Sequence, residues 1–305
     1  MSLGFNVRPK KQIRVIIDTD ADCEADDPFA IAHALMSPKL KVKAILAEHF
    51  NSEGSTKRSF DEIQRVLSAM KLSVPVFMGA EKPFLSYEDN PISPASEYIV
   101  EEALRDDSMP LYILCIGAIT NVAAALKANP EIGLRITIVW IAGHDYTKAD
   151  KVYFREFNSG NDVIAANIVF NSNVELWQIP IQVYASMRIG IAEIQRRVFP
   201  CGNIGKHLFE KMVQYNDTDS ADWTAGESWS LGDSPAVGVV LDENCGKYEY
   251  RDAPIVNDDT SYTFKEGRRK IRVYNSVDSR FVLEDFISKL ELLYGIDTIK
   301  TSCKI

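Results

Sequence analysis

Apolar, β-branched segments alternate with helix-type segments from residue 13 onward. The run 13–18 has the pattern of a buried strand, and 26–36 follows it with helical spacing and a proline in its first turn. The same alternation continues through 42–48, 55–70, 73–79, 111–117, 120–129, 135–143, 162–171 and 174–181. Successive parallel strands need a crossover, which is usually a helix. The sequence therefore predicts an α/β fold with an open, mostly parallel sheet flanked by helices, a Rossmann-like core.

The chain after about Ile189 is richer in helix-type segments, with strand-type segments only near its end. No linker rich in Pro, Gly or Ser separates the two parts, and no internal repeat is visible. We therefore predict a single domain over 13–293. Two flanking segments are left out of this domain. Residues 1–12 resemble a leader or an expression tag, and the C-terminal tail 294–305 is expected to fray.

The charge balance argues against two classes of partner. The chain carries 43 Asp and Glu against 34 Lys and Arg, a formal net charge of −9, so nucleic acid and anionic membrane surfaces would repel it. Its longest apolar runs are strand-sized, short of the roughly 20 residues that span a bilayer. Five cysteines without a CxxC pair fit a reducing compartment better than a disulfide framework. We therefore expect a cytoplasmic protein with a small-molecule partner.

An acidic cluster follows the first predicted strand directly. The segment IIDTDADCEADD places six carboxylates within ten residues: Asp18, Asp20, Asp22, Glu24, Asp26 and Asp27. In open α/β sheets, ligands bind at the carboxyl ends of the strands. Crowded carboxylates repel each other unless a cation neutralises them, and hard oxygen ligands favour Ca²⁺ or Mg²⁺. A solvated acidic loop with a helix cap is the alternative, but the position directly after a strand favours a cation site.

The acidic segment resembles the hallmark of the inosine-uridine nucleoside hydrolase family, a DxDxxxDD loop after the first strand. Asp18 and Asp20 can be the first pair, with two residues inserted before the final DD. Asp20 and Asp22 can also be the pair, and the spacing then fits without insertion. Because the apolar strand ends just before Asp18, we prefer the first alignment and keep Asp22 as the rival. The resemblance implies a nucleoside hydrolase-like fold.

Other segments of the family follow in the same order. EHFNSEGSTKRS resembles the asparagine-bearing loop after the second strand, and REFNSGNDVIAAN resembles the AEFN segment. The resemblance implies that Asp26 and Asn51 bind the 2′- and 3′-hydroxyls of a ribose. It assigns Glu156 and Asn158 to the 5′-hydroxyl. These four residues are the predicted sugar contacts.

The metal ligands of the family also have counterparts. CIGAITNVAAAL resembles the GPLTN segment, whose preceding residue offers a backbone carbonyl, and SLGDSPAVGVV resembles the late HDPLAVA segment. By this resemblance, Ca²⁺ is held by the carboxylates of Asp20, Asp27 and Asp233 and by the carbonyl of Ile116. Asp20 would also act as general base on a water molecule whose pKa the ion lowers.

One catalytic group of the family is missing. The histidine that protonates the departing base in relatives corresponds here to Gly232. Candidate substitutes are His144, which follows a strand end, and the segment DWTAGESWS. In that segment Glu227 could donate a proton, and a tryptophan, Trp223 or Trp229, could stack on the base. We favour the segment, because it leads directly into the late metal-binding segment.

The sequence therefore predicts an enzyme, a calcium-dependent N-ribosyl hydrolase that converts ribonucleosides into ribose and free base, as in purine and pyrimidine salvage. The resemblance also implies a homodimer or homotetramer. One alternative is a catalytically silent protein that binds ribose or a sugar derivative and keeps the metal site; turnover separates the two. Another is a DxD-type phosphotransferase with Mg²⁺, which the later segments do not support.

Overall fold

The computed structural model describes residues 3–150 and 152–295. The strands in these ranges are β1 Ile13–Thr19, β2 Leu40–Ala47, β3 Val76–Met78, β4 Leu111–Cys115, β5 Ile136–Ile141, β6 Glu175–Ile179, β7 Arg188–Gly190, β8 Ser228–Ser230, β9 Gly246–Asp252, β10 Ile255–Val256, β11 Tyr262–Thr263 and β12 Lys270–Val277. The α-helices are α1 Asp27–Met36, α2 Ser55–Met70, α3 Pro94–Leu104, α4 Thr120–Ala128, α5 Phe157–Asn161, α6 Val163–Asn171, α7 Ile181–Tyr184, α8 Ile191–Arg197, α9 Gly202–Asn216, α10 Ser234–Leu241 and α11 Ser279–Tyr294. None of the helices in this part of the chain is long and apolar enough to cross a membrane.

One eight-stranded sheet runs through the molecule in the order β3-β2-β1-β4-β5-β6-β12-β9. Its strands are parallel except β9, which pairs antiparallel with β12. The chain moves outward from β1 to β3 and then returns to add β4 on the other side of β1, so the strand order reverses between β1 and β4. Ligands bind at such a reversal, beyond the carboxyl ends of the strands. The predicted mostly parallel α/β sheet is confirmed.

Two apolar layers enclose the sheet, because successive side chains of a buried strand point to opposite faces. In β1, Val15 and Ile17 belong to one layer and Ile16 belongs to the other. Helices α1, α2, α9, α10 and α11 cover the first face, and α3, α4 and α6 cover the second. Trp140 of β5 is fully buried in the second layer, with its ring centroid 5.8 Å from that of Phe170.

The predicted domain limits lie close to the ends of the described residues. β1 begins at Ile13 and α11 ends at Tyr294. The predicted leader 1–12 contains a short 3₁₀ helix just before β1. Most of the predicted tail, 296–305, lies outside the described residues, and the single domain over 13–293 stays a prediction.

Close packing of two helices depends on Gly238. This residue of α10 faces α11, and a Cβ atom at 238 would lie 2.4 Å from Val282 Cγ2. We expect Gly238→Ala to lower the free energy of unfolding by about 1–3 kcal/mol, because a β-branched neighbour in a helix cannot swing away. Gly190→Ala is the matched control, since no atom lies within 4 Å of a Cβ atom there and φ is −74°. Urea denaturation checks both variants, and equal losses would contradict the packing argument.

Candidate active site

The ends of three neighbouring strands are held together by backbone hydrogen bonds. Thr19 is the last residue of β1, and the backbone N–H of Glu48 donates to its carbonyl at 2.8 Å. The backbone N–H of Ile116 donates to the Asp18 carbonyl at 2.9 Å. These bonds fix the ends of β2 and β4 beside β1, so the residues that follow the three strands meet at one edge of the sheet.

A cavity that we call the acidic cavity opens at this edge. It encloses about 440 Å³ of space that is continuous with solvent. Six carboxylic side chains line it: Asp20, Glu24, Asp26, Asp27, Glu156 and Asp233. Its lining also includes Ile116, Ile141, Phe157, Asn158, Tyr184 and Gly232. The structure therefore brings together all the predicted metal and sugar residues except Asn51.

Three carboxylates meet where two helices begin. Oxygen atoms of Asp26, Asp27 and Asp233 all lie within 4.8 Å of one another. Asp26 and Asp233 directly precede α1 and α10, yet neither side chain caps its helix. The Thr19 hydroxyl donates a hydrogen bond to Asp27. The three buried carboxylates instead line the cavity, in an arrangement that can hold a cation.

These carboxylates disfavour one another's ionisation. Burial raises the pKa of Asp27 to about 6, although the Thr19 hydroxyl opposes this shift. Burial raises the pKa of Asp233 well above its usual range, and the charges of Asp26 and Asp27 add to the effect. Burial and the charge of Asp27 do the same to the pKa of Asp20. A bound cation would favour the ionised forms and relieve this repulsion.

Asp20 has the properties of a cation ligand. Its Oδ2 atom is buried and has no hydrogen-bond partner within the described ranges. A Cβ atom at Gly117 would lie 2.6 Å from Asp20 Oδ1, so the glycine leaves room for this carboxylate. The donor set of the cavity consists of oxygen atoms, which hard cations such as Ca²⁺ and Mg²⁺ prefer. The residues present therefore fit a divalent metal ion.

The geometry separates the two alignments of the first loop. Asp22 forms an ion pair with Lys211 at 3.0 Å and does not line the acidic cavity. Asp18 is buried, and Asn121 Nδ2 donates to its Oδ1 at 2.9 Å. Asp20 lines the cavity. This placement favours Asp18 and Asp20 as the first pair, with a lengthened loop after them.

A hydrogen-bonded group forms the predicted sugar side of the cavity. Glu156 is fully buried at the start of α5 and accepts hydrogen bonds from the backbone N–H groups of Asn158 and Ser159. The Tyr184 hydroxyl donates to Glu156 Oε1 at 2.9 Å. Asn158 Nδ2 donates to the Ile141 carbonyl at 2.8 Å. Both polar side chains are therefore held in fixed orientations at the cavity wall.

Asn51 lies apart from the acidic cavity. It is exposed, its φ is 53°, and its backbone N–H donates to His49 Nδ1 at 3.2 Å. His49 Nε2 lies 2.8 Å from Thr120 Oγ1, whose hydroxyl donates to Asp162 Oδ2 at 2.7 Å. Burial lowers the pKa of His49 to about 4, so the ring is neutral at physiological pH and carries its proton on Nε2. The contact of Asn51 with a ribose hydroxyl stays a prediction.

The four candidates for the base-leaving acid and the stacking group, which are His144, Glu227, Trp223 and Trp229, also lie outside the acidic cavity. His144 is buried with Nε2 2.9 Å from Thr260 Oγ1, and burial lowers its pKa. Glu227 is exposed. Trp229 is only 1% exposed and packs edge-on against Trp223, with 5.1 Å between ring centroids. Their roles in catalysis stay predictions.

Gly232 lines the acidic cavity at the position that the family's histidine would occupy. A Cβ atom there would lie 3.3 Å from Asp26 Oδ2 and 3.3 Å from Tyr184 Cδ2. A Cβ atom at 232 would therefore press on the Asp26 carboxylate and on the Tyr184 ring, whose hydroxyl donates a hydrogen bond to Glu156.

A second cavity, which we call the aromatic cavity, adjoins the first. It encloses about 930 Å³ of space open to solvent. Its aromatic lining is Phe154, Phe157, Tyr184 and Trp223. The residues that line both cavities are Glu24, Asp26, Phe157, Tyr184 and Gly232. Of the aromatic residues of this cavity, sequence reasoning named only Trp223, as a residue that could stack on the base. The available signal for two others was the segment YFREFN, in which Phe154 and Phe157 flank Glu156.

The fold and the acidic cavity define an α/β protein with a candidate divalent-cation site at the reversal of its strand order. The profile of the family described as inosine-uridine preferring nucleoside hydrolase matches residues 15–284. The chain belongs to this family and is an N-ribosyl hydrolase, an enzyme that cleaves N-glycosidic bonds. The family membership and the enzyme class predicted from the sequence are confirmed.

Individual relatives agree with this assignment. The chain is 30% identical over 256 residues to the pyrimidine-specific ribonucleoside hydrolase RihA of Salmonella typhimurium. This alignment covers 76% of this chain and 77% of the relative. The structure of a purine-preferring ribonucleoside hydrolase from Gardnerella vaginalis has a TM-score of 0.77 at 19% identity, and the aligned part covers 92% of this chain and 99% of the Gardnerella chain. An inosine-guanosine nucleoside hydrolase has a TM-score of 0.75 at 21% identity, with the same coverage. The two solved structures support the fold.

Proposed function

We propose that this chain hydrolyses ribonucleosides to ribose and free base with Ca²⁺ as its metal ion. The observation that carries the proposal is the meeting of six carboxylic side chains in one cavity at the carboxyl ends of the parallel strands. Cleavage of a glycosidic bond passes through an oxocarbenium-like state, whose positive charge fixed carboxylates stabilise. Relatives named for pyrimidine and purine nucleosides support this substrate class.

The metal ion would be held by residues that line the acidic cavity: Asp20, Asp27, Asp233 and the carbonyl of Ile116. When bound, Ca²⁺ supplies positive charge that lowers the pKa of a water molecule and attracts hydroxyl oxygens. Ca²⁺ accepts six to eight oxygen ligands in flexible geometry, whereas Mg²⁺ needs a strict octahedron. A group of carboxylates supplemented by substrate hydroxyls therefore suits Ca²⁺ better.

The residues of the cavity divide the chemistry among them. Asp20 would accept the proton of the attacking water. As the water oxygen bonds to C1′, the C1′–N bond breaks, its electron pair leaves with the base, and the base takes up a proton from solvent. Asp26 would hold a ribose hydroxyl, while Glu156 and Asn158 would hold the 5′-hydroxyl and fix the ring for attack. The hydrogen bond from Tyr184 keeps the Glu156 carboxylate in place during these steps.

The riboside 4-nitrophenyl β-D-ribofuranoside tests the proposed function, because its leaving group needs no proton. We expect the protein to release nitrophenolate and ribose after loading with Ca²⁺ and to lose this activity in a chelator. Uridine, cytidine, inosine and adenosine, assayed for free ribose, then define the base preference. Release of ribose from none of these substrates would contradict the proposal.

Loss of a predicted metal ligand is expected to remove the ion and the stability that it provides. Elemental analysis should find one Ca²⁺ per chain in the wild type and none in Asp27→Ala. Ca²⁺ at about 100 times its Kd should stabilise the wild type by about 2.7 kcal/mol, because it binds only the folded state. Asp22→Asn, which removes a charge from the same loop outside the cavity, is the control and should keep the ion. A melting temperature of the wild type that Ca²⁺ does not change would argue against a metal site.

A catalytically silent ribose-binding protein is the second candidate function. It is favoured by one observation, the absence of a side chain at Gly232, where the family's proton donor would stand. Such a protein would bind ribosides and leave them intact. Turnover of the nitrophenyl riboside excludes it, since that substrate needs no proton donor.

The assembly is proposed from the sequence alone, and the partner from the sequence together with the acidic cavity. A small ribonucleoside suits the acidic cavity, and the net charge of −9 disfavours nucleic acid and anionic membranes. Assembly as a homodimer or homotetramer follows from the family resemblance, and location in the cytoplasm follows from the five cysteines without a CxxC pair. Light scattering of the purified chain tests the assembly, and a monomer at micromolar concentration would contradict it.

A further inference from the structure

β9 forms one outer edge of the eight-stranded sheet. It pairs with β12 on one side, and no strand in the described part of the chain pairs with its other side. The backbone N–H of Ala253 donates to the Arg269 carbonyl at 2.9 Å. Because the direction of the backbone groups alternates along a strand, those of Tyr248, Tyr250 and Asp252 point away from β12. Unpaired backbone groups of this kind are a template for another strand.

Aromatic side chains reach this edge on one face of the sheet. The Arg272 guanidinium lies between two rings, 3.9 Å from the centroid of Trp177 and 4.2 Å from that of Tyr248. Tyr248 contacts Tyr250 edge-on, with 6.0 Å between ring centroids. Tyr250 is 54% exposed. Aromatic side chains that lie directly opposite each other on neighbouring strands stabilise a sheet, so Tyr250 is suited to contact a ring on an added strand.

A groove open to solvent runs beside β9. It encloses about 1000 Å³, which leaves room for the side chains of an added strand. Its charged lining residues are three acids and three bases: Glu249, Asp252, Glu266, Arg251, Lys265 and Lys270. The whole chain has a net charge of −9, but this surface is balanced. A second copy of the chain would therefore not be repelled here.

The charges of β9 are complementary to those of a second β9. If two copies pair antiparallel with Tyr250 at the centre, Glu249 of each copy lies directly opposite Arg251 of the other. Within one copy, Arg251 Nη2 lies 2.7 Å from Glu249 Oε1, so both side chains already share one face of the strand. A centre at Glu249 would instead place Lys247 opposite Arg251, and like charges that lie opposite each other destabilise a pair of strands.

The regular part of β9 favours Tyr250 over Tyr248 as the centre. The pairing with β12 shifts its register between Tyr274 and Ser276, which lie opposite Tyr248 and Lys247. Such an irregularity bends the strand and increases its twist. A centre at Tyr248 would lie at this irregularity, whereas Tyr250 lies in the part of β9 whose register is continuous.

We infer that β9 binds the β9 strand of a second copy of this chain, antiparallel and with Tyr250 on the two-fold axis, so that one sheet continues through both copies. The backbone groups of Tyr250 in the two copies bond to each other, and the pair of Glu249 with Arg251 forms twice, as two-fold symmetry requires. The inference rests on the proposed assembly as a homodimer and deepens it by assigning the interface.

Cysteine cross-linking tests the register. Directly opposite residues of antiparallel strands have Cα atoms about 4.5–5.5 Å apart, which a disulfide can span. Tyr250→Cys is therefore expected to give a disulfide-linked dimer on mild oxidation, seen by non-reducing electrophoresis, with the oxidised wild type as background. Tyr248→Cys is the matched control and should stay unlinked, because its two copies would lie about 13 Å apart along the strands.

The outcomes of cross-linking and light scattering separate the interface from the assembly. If light scattering shows a homodimer but Tyr250→Cys links no more than the wild type or Tyr248→Cys, the inference is overturned and the proposed assembly stands. More linking in Tyr248→Cys than in Tyr250→Cys overturns the inference as well. A wild type that is a monomer overturns both.

Charge reversal tests the ion pairs. Arg251→Glu places carboxylates opposite each other at two points and is expected to raise the Kd of the homodimer about 100-fold in analytical ultracentrifugation. Adding Glu249→Arg restores opposite charges and should return the Kd to within about threefold of the wild type. Lys57→Glu is the control, since it breaks an exposed pair with Asp61 on α2 and should not change the Kd. An unchanged Kd in Arg251→Glu, or a double variant as weak as the single one, would overturn the inference.

The variants are expected to fold and to keep the chemistry of the acidic cavity. They alter side chains at an edge that borders solvent, and circular dichroism spectra that match the wild type check their folding. No residue of β9 lines the acidic cavity. A protein without hydrolytic activity would therefore contradict the proposed function and not the interface, which cross-linking and the Kd decide.

Discussion

Asp20→Asn is expected to lower kcat/KM by about 10²–10⁴-fold on every riboside, including the nitrophenyl riboside. The reason is that Asp20 acts on the attacking water and the metal ion, so its charge matters whichever group leaves. Asparagine has nearly the same shape and fits the space beside Gly117, so the variant should fold. Steady-state release of ribose by the two proteins measures the effect.

Asp22→Asn is the matched control for this variant. Asp22 is paired with Lys211 outside the acidic cavity, so its loss should change kcat/KM by less than about threefold, as expected for a surface ion pair. The opposite pattern, with activity lost in Asp22→Asn and retained in Asp20→Asn, would favour the alignment in which Asp22 belongs to the metal and water site. It would contradict the geometry described here.

2′-Deoxyribonucleosides are expected to react about 10⁴-fold more slowly than the matching ribonucleosides. The buried Asp26 carboxylate lines the cavity, and without the hydroxyl it would lose its partner in the complex. The measurement is kcat/KM on adenosine and 2′-deoxyadenosine, or on uridine and 2′-deoxyuridine if purines are poor substrates.

Asp26→Ala shows whether this preference comes from the proposed contact. It should lower the rate on the ribonucleoside and bring the ratio between the two sugars towards one. The 5′-deoxyribonucleoside is the internal comparison. It should react more slowly than the ribonucleoside because Glu156 loses its hydroxyl partner, and this difference should persist in Asp26→Ala. Equal rates of the wild type on both sugars would contradict the sugar assignment.

The elements that could be predicted from sequence are those whose packing follows the apolar pattern. α2 occupies Ser55–Met70, the residues predicted, because its buried side chains Ile63, Val66, Leu67 and Met70 recur at helical spacing. β1 extends only one residue beyond the prediction, to Thr19. The strands of a parallel sheet are buried on both faces and therefore read as continuous apolar runs, which makes them easy to recognise in the sequence.

The place where the predicted metal-binding residues meet also followed from the sequence. Residues that come directly after parallel neighbours must meet at one edge of the sheet, and β1 pairs with β4 in parallel. Asp20 and Ile116 follow these two strands, so their meeting needs no information beyond strand order. Asp27 and Asp233 join them because each lies at the beginning of a helix that points at this edge.

Side-chain environments set by distant segments could not be predicted. Trp229 precedes the Asp233 segment, but β8 pairs with β7 and Trp229 is buried in the core. His144 follows β5, but its ring contacts Thr260, which lies 116 residues away in the sequence. The aromatic cavity likewise combines Phe154 with Trp223 from a separate segment. No local sequence pattern identifies contact partners that lie so far away in the chain.

The central claim is that the acidic cavity hydrolyses N-ribosidic bonds. The most direct measurement is a chromatographic inventory of intact riboside, free base and ribose after incubation with Ca²⁺-loaded wild type and with Asp20→Asn. The account predicts base and ribose in equal amounts from at least one riboside with the wild type, and almost none with the variant. Ribosides that raise the melting temperature of the wild type, and so bind it, but remain intact after prolonged incubation would contradict the account.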